Sequence, residues 1–277
     1  MYRSLTRVRL AQRTHAARLG AAAVLAAMVT TQLALAPQAG AIVGGGPTST
    51  SQHPWMVQID NGNPIGCGGT LVAPTKVVTA AHCIPADEPS PKLTVIAGED
   101  RYHGKAGTHV PVNRIWVHPH SGDDLPAGTP RVDLAVLTLS RPLAQRTLPL
   151  AGPGDSKLYR AGRKGLALGW GADSSTSAPP STTLRGVTIP VRSLAECLKI
   201  YTIDEQRTSL KAGSAFCAGG DGTGAALGDS GGPLVIDGKL AGVVSGGASS
   251  EYGRYPARFA KVSTYAAELR RQISAGR

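Results

Sequence analysis

The chain of 277 residues is long enough for one large domain or two small ones. Its 29 basic and 18 acidic residues give a net charge of +11, which alone would point to a nucleic-acid or membrane-surface binder. Arg3, Arg7, Arg9, Arg13 and Arg18 supply five of those charges in an acid-free stretch ending at Ala41, which leaves 24 basic against 18 acidic groups, +6, for residues 42–277. That remainder has no dense Lys/Arg cluster, so no nucleic-acid partner is expected. With 35 Gly, 20 Pro and only 4% aromatic residues, the composition argues against a coiled coil or helical bundle and fits short strands with many turns.

In chain order, the arginine-rich start leads into an apolar run, Leu19 to Leu35, interrupted by Thr30, Thr31 and Gln32. This is the pattern of a secretory signal rather than a membrane span, a retained N-terminal anchor being the alternative. Cleavage between small residues fits after Ala36, which would leave Pro37 first and Pro37–Ala41 as a propeptide stub. It also fits after Ala41, with Ala39 two residues before it, which would expose Ile42. No other apolar run is long enough to cross a bilayer, so the rest is expected to be secreted and extracellular, with no stable membrane association.

Short β-branched and aliphatic runs then recur: Trp55–Ile59, Thr70–Val72, Lys76–Thr79, Leu93–Ala97, Asn113–Val117, Val132–Leu139, Gly165–Leu168, Leu184–Ile189, Leu234–Ile236 and Leu240–Ser245. Segments rich in Gly, Pro, Ser and Asp separate them, among them Pro85–Pro91, Ser121–Pro130 and Gly171–Thr183, the last holding the low-complexity stretch Ser174–Ser181. Many short strands without alternating helices predict an all-β sandwich or barrel. At the end of the chain Val262, Tyr265, Leu269 and Ile273 fall at helical spacing and predict one amphipathic helix packed on the sheet.

The four cysteines, Cys67, Cys83, Cys197 and Cys217, allow three pairings. Their spacings of 16, 114 and 20 contain no C-x-x-C step of a metal site. The simplest pairing for an oxidising compartment is Cys67–Cys83 with Cys197–Cys217, each closing a loop worth about 3 kcal/mol.

The strongest local signal is Gly228-Asp229-Ser230-Gly231-Gly232-Pro233. Flanking glycines let a carbonyl approach the Ser230 hydroxyl and leave main-chain N–H groups free to face a developing oxyanion. A glycine-rich turn is the bland alternative. The hexapeptide also satisfies the G-x-S-x-G pattern of α/β-hydrolases, but there the histidine follows the serine, and no histidine follows Ser230. The order His…Asp…Ser remains. His82, in Thr79-Ala80-Ala81-His82-Cys83, directly follows a strand-like run and is the candidate base. His103, His109, His118 and His120 lie in polar segments and read as solvated surface residues, the last two without a third metal ligand nearby. Asp133, opening the apolar strand Asp133-Leu134-Ala135-Val136-Leu137, needs a partner that an imidazole N–H would supply. Asp123 and Asp124 sit in a Gly/Pro loop and read as solvated.

With Ile42-Val43-Gly44-Gly45, Cys67-Gly68-Gly69-Thr70-Leu71 and Gly169-Trp170-Gly171 added to these motifs, the chain from Ile42 to its C-terminal helix resembles the trypsin/chymotrypsin-like serine protease family. The resemblance implies two six-stranded antiparallel β-barrels, a C-terminal α-helix and a site in the cleft between the barrels. It implies His82 as general base, Asp133 as its orienting partner, Ser230 as nucleophile and the N–H groups of Gly228 and Ser230 as oxyanion hole. Ser245 matches a serine supporting the aspartate, and a freed Ile42 amine would pair with Asp229. Signal cleavage after Ala41 would then itself create the active N-terminus.

The likeness also has departures. Positions of a third family disulfide match Ala226 and Ser250. Gly224 stands where trypsins carry the aspartate that selects Lys or Arg, and Asp221 is expected beyond the pocket floor. Gly246 replaces a tryptophan, and Pro256-Ala257 replaces a Pro-Gly pair. A pocket lined by Gly224, Ala225, Leu227, Ser245, Gly246, Gly247 and Ala257 is expected to take a small or apolar side chain, not a basic one. Glu99 matches one carboxylate of a family calcium loop, but no second ligand acid is evident, so no metal or cofactor is expected. The expected partners are protein or peptide substrates of a monomeric endopeptidase. The rival is a catalytically weak homologue acting as a secreted binding protein.

Overall fold

The computed structural model describes residues 42–85, 92–122, 124–172, 182–248 and 251–275. Residues 1–41, with the cleavage points expected after Ala36 and Ala41, residues 86–91 and 173–181, Asp123 and Ser250 lie outside them.

Six strands close into an antiparallel barrel: β2 (Met56–Asp60), β3 (Cys67–Ala73), β4 (Lys76–Thr79), β5 (Thr94–Ala97), β6 (Thr108–Val117) and β7 (Ala135–Leu139), in the order β2-β3-β4-β7-β6-β5. Val57, Leu71, Val77, Val95 and Leu137 fill it and are fully buried. β-branched and aliphatic side chains suit such an interior because they pack on a pleated surface with little rotamer loss. The Cys67–Cys83 disulfide ties the start of β3 to the turn after β4.

The second sheet holds β1 (Gly46–Pro47), β8 (Lys164–Gly169), β9 (Arg185–Pro190), β10 (Ala215–Gly219), β11 (Pro233–Ile236), β12 (Lys239–Gly246) and β13 (Pro256–Lys261), in the order β1-β9-β8-β11-β12-β13-β10. It curls into a half-barrel around Ile189, Leu234, Ile236 and Phe259. Full closure as a second six-stranded barrel, expected from the sequence, is not reached. β9 and β10 come together past the end of β9, at the bridge Val191–Ala218 and the bond from Arg192 N–H to the Cys217 carbonyl, and the positive-φ pair Gly219–Gly220 turns the chain away after β10. The Cys197–Cys217 disulfide joins β10 to α1 (Leu194–Ile200).

Two α-helices and three strands, β1, β10 and β13, have no counterpart among the apolar runs of the sequence. α1 opens with a capping box in which Ser193 and Glu196 satisfy each other's backbone N–H groups, a Ser-x-x-Glu signal visible in the sequence. α2 (Asp204–Lys211) follows. β10 and β13 each carry one phenylalanine, Phe216 and Phe259, among mostly Ala, Gly, Pro, Arg and Lys, and are held as strands by pairing with each other and, for β13, with β12 as well. Val132–Asp133–Leu134 is not strand, so Asp133 precedes β7 instead of opening it.

α3 (Ala266–Ser274) packs on the first barrel through Leu269, with Tyr265 and Ile273 beside it. Its C-terminal end is held by Lys76, 1% exposed, whose Nζ donates to the Ala275 carbonyl at 2.7 Å and to Thr138 Oγ1 at 3.0 Å. A cation at a helix C-terminus also meets the negative end of the helix dipole. Lys76→Met, which keeps the stem and removes the donor, is expected to lower stability by about 1–3 kcal/mol in urea unfolding and to speed amide exchange in 270–275 first.

Candidate active site

His82 sits on the 3-10 turn Ala81–Cys83, directly after β4, and is exposed while both its neighbours are buried. Its Nδ1 lies 2.8 Å from Asp133 Oδ2, and its backbone N–H donates to Asp133 Oδ1 at 3.0 Å. Ser245 Oγ, on β12 of the other sheet, donates to Asp133 Oδ2 at 2.6 Å. The carboxylate is thus held from both halves of the fold. Because an ionised carboxylate only accepts, Nδ1 carries the ring proton and Nε2 is left with a lone pair facing outward. Burial pulls the Asp133 carboxyl upward, but the hydrogen bond and charge of His82, the Ser245 hydroxyl and the His82 N–H outweigh it and hold it below its ordinary value.

Ser230 is half-buried on the loop between Asp229 and β11. Its carbonyl accepts from Gly68 N–H at 2.8 Å, fastening the loop to β3. Gly231, at φ +76°, packs where any Cβ would collide with Thr79 Oγ1 and the Gly68 carbonyl and press on Cys83 Sγ, so the loop lies directly against the turn that carries His82. No hydrogen bond joins Ser230 Oγ to His82 among the described residues. The N–H groups of Asp229, Gly231 and Gly232 donate to the carbonyls of Ala226, Val244 and Asp229. Those of Gly228 and Ser230 have no acceptor among the described residues, the arrangement a developing oxyanion requires.

Asp229 is 0% exposed. Its carboxylate accepts from Gly171 N–H and Ala226 N–H, each at 2.8 Å, and it has no ion pair among the described residues. Burial pushes its pKa up to about 7, the two N–H donors only partly opposing. Gly169 and Gly171 flank it so closely that a Cβ on either would strike the carboxylate, which gives the Gly-Trp-Gly motif a steric reason. Ile42 is 1% exposed in the core of the second sheet, with its nitrogen an amide in the uncut chain. Val43 exchanges two backbone hydrogen bonds with Gly224, at 3.0 and 3.1 Å, so the start of the described chain runs beneath Gly224.

Around Gly224 the buried residues are Ala225, Ala226 and Ala257, while Leu227 and Gly247 are exposed and Gly246 is half-buried. Tyr201, buried on α1's C-terminal side, donates its hydroxyl to the Pro256 carbonyl at 2.8 Å and so fixes the strand carrying Ala257. Asp221 points to solvent and pairs with Arg192.

Two expectations need correction or completion. His118 is not a solvated surface residue: it is 5% exposed, with Nε2 2.8 Å from Glu268 Oε2 of α3 and Nδ1 accepting from His120 N–H. Trp116 and Tyr265 enclose it and burial lowers its proton affinity, which makes it a staple between barrel and helix. His103, His109, His120 and Asp124 are exposed as read. The Glu99 carboxylate is occupied by N–H groups of Arg101, Ala106 and Gly107. Among the described residues the one group of three close ligating side chains is Cys67, His82 and Cys83, whose sulfurs are bonded to each other.

A closed barrel and a half-barrel, an imidazole–carboxylate pair held between them and a glycine-flanked serine against the imidazole's turn define a chymotrypsin-fold serine protease. The family model described as Trypsin matches residues 42–268, and the chain belongs to that family, as a serine-type endopeptidase. It is 35% identical over 240 residues to a trypsin of Saccharopolyspora erythraea, covering 85% of this chain and 99% of that one. It is 32% identical over 231 residues to trypsin delta of Drosophila erecta, covering 81% and 85%. Among solved structures it is similar to neuropsin, a serine protease expressed in the limbic system of mouse brain, with a TM-score of 0.70 and 25% identity over 84% of this chain and all of that one. No helix among the described residues is long and apolar enough to cross a membrane.

The raised Asp229 pKa carries a stability consequence with a definite sign. A carboxyl at about 7 in the fold and about 4 when unfolded holds its proton more tightly in the fold. Its contribution is therefore full below pH ~4 and is lost as pH rises through about 7. In the chain with residue 41 still joined to Ile42, urea-unfolding stability is expected to fall over that window by up to ~4 kcal/mol, and Asp229→Asn to flatten the curve.

Proposed function

We propose that the chain is a secreted endopeptidase in which Ser230 attacks the peptide bond, His82 moves the proton and Asp133 orients His82. The observation that carries this reading is the chain Ser245–Asp133–His82, with Gly231 of the serine loop packed against Cys83, the residue next to His82.

As Ser230 Oγ bonds to the substrate carbonyl carbon, its proton passes to His82 Nε2 and the carbonyl π pair moves onto oxygen. The N–H groups of Gly228 and Ser230 meet that oxyanion. The imidazolium is stabilised by the carboxylate of Asp133, whose low proton affinity keeps it ionised. Collapse of the tetrahedral intermediate breaks the C–N bond, and His82 hands its proton to the leaving amine. Water then repeats the sequence on the acyl-enzyme: its proton goes to His82, the ester bond breaks, and Ser230 recovers its hydrogen.

In this reading the N-terminal amine freed at Ile42 swings onto Asp229, whose two N–H donors leave its charge unneutralised. Signal cleavage after Ala41 produces that amine without a separate activating protease. The side chain before the scissile bond is small or apolar: Gly224 offers no carboxylate, and Ala225, Ala226 and Ala257 fill the walls. The enzyme works as a monomer on protein or peptide substrates and needs no metal.

A serine-directed fluorophosphonate is expected to label the mature protein, and Ser230→Ala to abolish the label. Loss of labelling from the wild type, or its survival in Ser230→Ala, refutes the assignment and favours a binding protein without turnover. Ser230→Ala or His82→Ala should cut kcat by roughly four to six decades on a peptide substrate. N-terminal sequencing of active secreted protein should read Ile42-Val43-Gly44, and activity should decline at alkaline pH as an amine of ordinary pKa about 8 deprotonates. Active enzyme beginning before Ile42, or a pH profile without an alkaline limb, counts against the inward-folded terminus.

A further inference from the structure

Beside the Asp133–His82 pair lies a cavity of about 150 Å³ whose lining includes His82, Asp133, Ser245, Arg131 and Arg258. Arg258, on β13, stands directly across from Gly246 of β12. Gly246 has no side chain to cover that neighbour: a methyl group built on it would lie 4.0 Å from Arg258 Nη2. The guanidinium is therefore left uncovered beside the end of β12, immediately after Ser245.

The two arginines differ. Arg131 Nε donates to the Ser121 carbonyl at 2.8 Å, and its Nη1 lies 3.5 Å from Glu205. Arg258 is half-buried, and its guanidinium makes no hydrogen bond or ion pair with any described residue. Asp133, the one acid lining the cavity, is already engaged by His82 and Ser245. Five N–H donors half removed from water without an acceptor are costly to leave that way, and a planar guanidinium is matched best by a carboxylate. With Arg131 paired to Glu205 and Asp133 engaged by His82 and Ser245, the guanidinium of Arg258 is the charge in the lining that meets no counter-charge among the described residues, and it attracts an anion and repels a cation.

We propose that Arg258 is a specificity-determining residue that binds an acidic side chain of the peptide substrate, one to three residues from the scissile bond. This rests on the endopeptidase reading above, because the cavity opens beside His82 and an extended peptide advances only about 3.3 Å per residue. The site selects aspartate or glutamate at one flanking position, independently of the small or apolar residue beside the cut.

The test is a set of peptides sharing one cleaved bond, with Glu, Gln or Lys placed in turn at each of the three positions on either side. The expected result for the wild type is a Glu-to-Gln ratio of kcat/KM of about tenfold at one position, shrinking as salt is raised. That ratio should fall to near one in Arg258→Ala, persist in weakened form in Arg258→Lys and invert toward Lys in Arg258→Glu. Ratios are read within each protein, so a change in overall activity does not obscure them. No Glu preference at any position in wild-type enzyme overturns the proposal, as does a preference unchanged in Arg258→Ala and Arg258→Glu. Wild-type enzyme that is labelled by fluorophosphonate and cleaves the Gln peptides without Glu preference fails only this proposal. Absence of both labelling and cleavage fails the endopeptidase reading instead.

Discussion

Where the two sheets meet, the Ser230 carbonyl accepts a hydrogen bond from Gly68 N–H of β3, and Gly231 occupies a space bounded by Thr79, Gly68 and Cys83. Contact here is backbone on backbone between Ser230 and Gly68, with the Thr79 hydroxyl and Cys83 sulfur closing around Gly231. Cys67, next to Gly68, is disulfide-bonded to Cys83, next to His82. The loop that carries the serine and the turn that carries the imidazole are therefore referenced to the same few atoms of β3. A change of one methyl group at Gly231 would push the loop away and alter the site without touching any residue of it. Preorganisation of this kind matters because a reacting group displaced by 1 Å loses much of its advantage.

Asp229 is a second constraint, built into the same loop. Removing a carboxylate from water is expensive unless its charge is met, and two backbone N–H groups meet it only in part. The cost is tolerable because the surroundings are rigid. Gly169 and Gly171 leave room for the carboxylate, and Trp170 between them is buried with its indole N–H on the Asp100 carbonyl at 2.9 Å. Asp100 in turn accepts from the Thr50 N–H and hydroxyl, so the strap runs back toward the start of the described chain. Asp229 has no counter-ion among the described residues, and the chain start pairs with Gly224 through Val43, the two features on which the proposed Ile42–Asp229 pairing rests.

Most of the first barrel was legible because its strands are runs of β-branched and aliphatic residues buried by one rule, apolar side inward. The same rule missed β10 and β13, in which a single phenylalanine stands among Ala, Gly, Pro and Arg and strand pairing with each other and with β12 does the rest. It also misplaced His118: local polarity suggested solvent, whereas Glu268, 150 residues later, supplies the partner that makes burial acceptable. Site residues were legible for a different reason. Glycines around Ser230 and Trp170, and an aspartate at the head of an apolar run, break the local preferences of strands. Such breaks persist in a sequence when something at the site requires them. Arg258 gave no such break, since its meaning depends on the missing side chain of a cross-strand neighbour.

The two aspartates illustrate how little of a carboxylate's behaviour belongs to the residue itself. Both are desolvated, and both accept backbone N–H bonds. Asp133 adds the Nδ1–H of His82 and the hydroxyl of Ser245, and its proton affinity falls below the ordinary value; Asp229 adds nothing, and its affinity rises to about pH 7. Their environments divide the work accordingly. In the proposed mechanism the lowered proton affinity of Asp133 suits it to steady the His82 imidazole already in the uncut chain, whereas Asp229, which ionises only near neutrality, is the acid that the proposed Ile42 amine would hold charged.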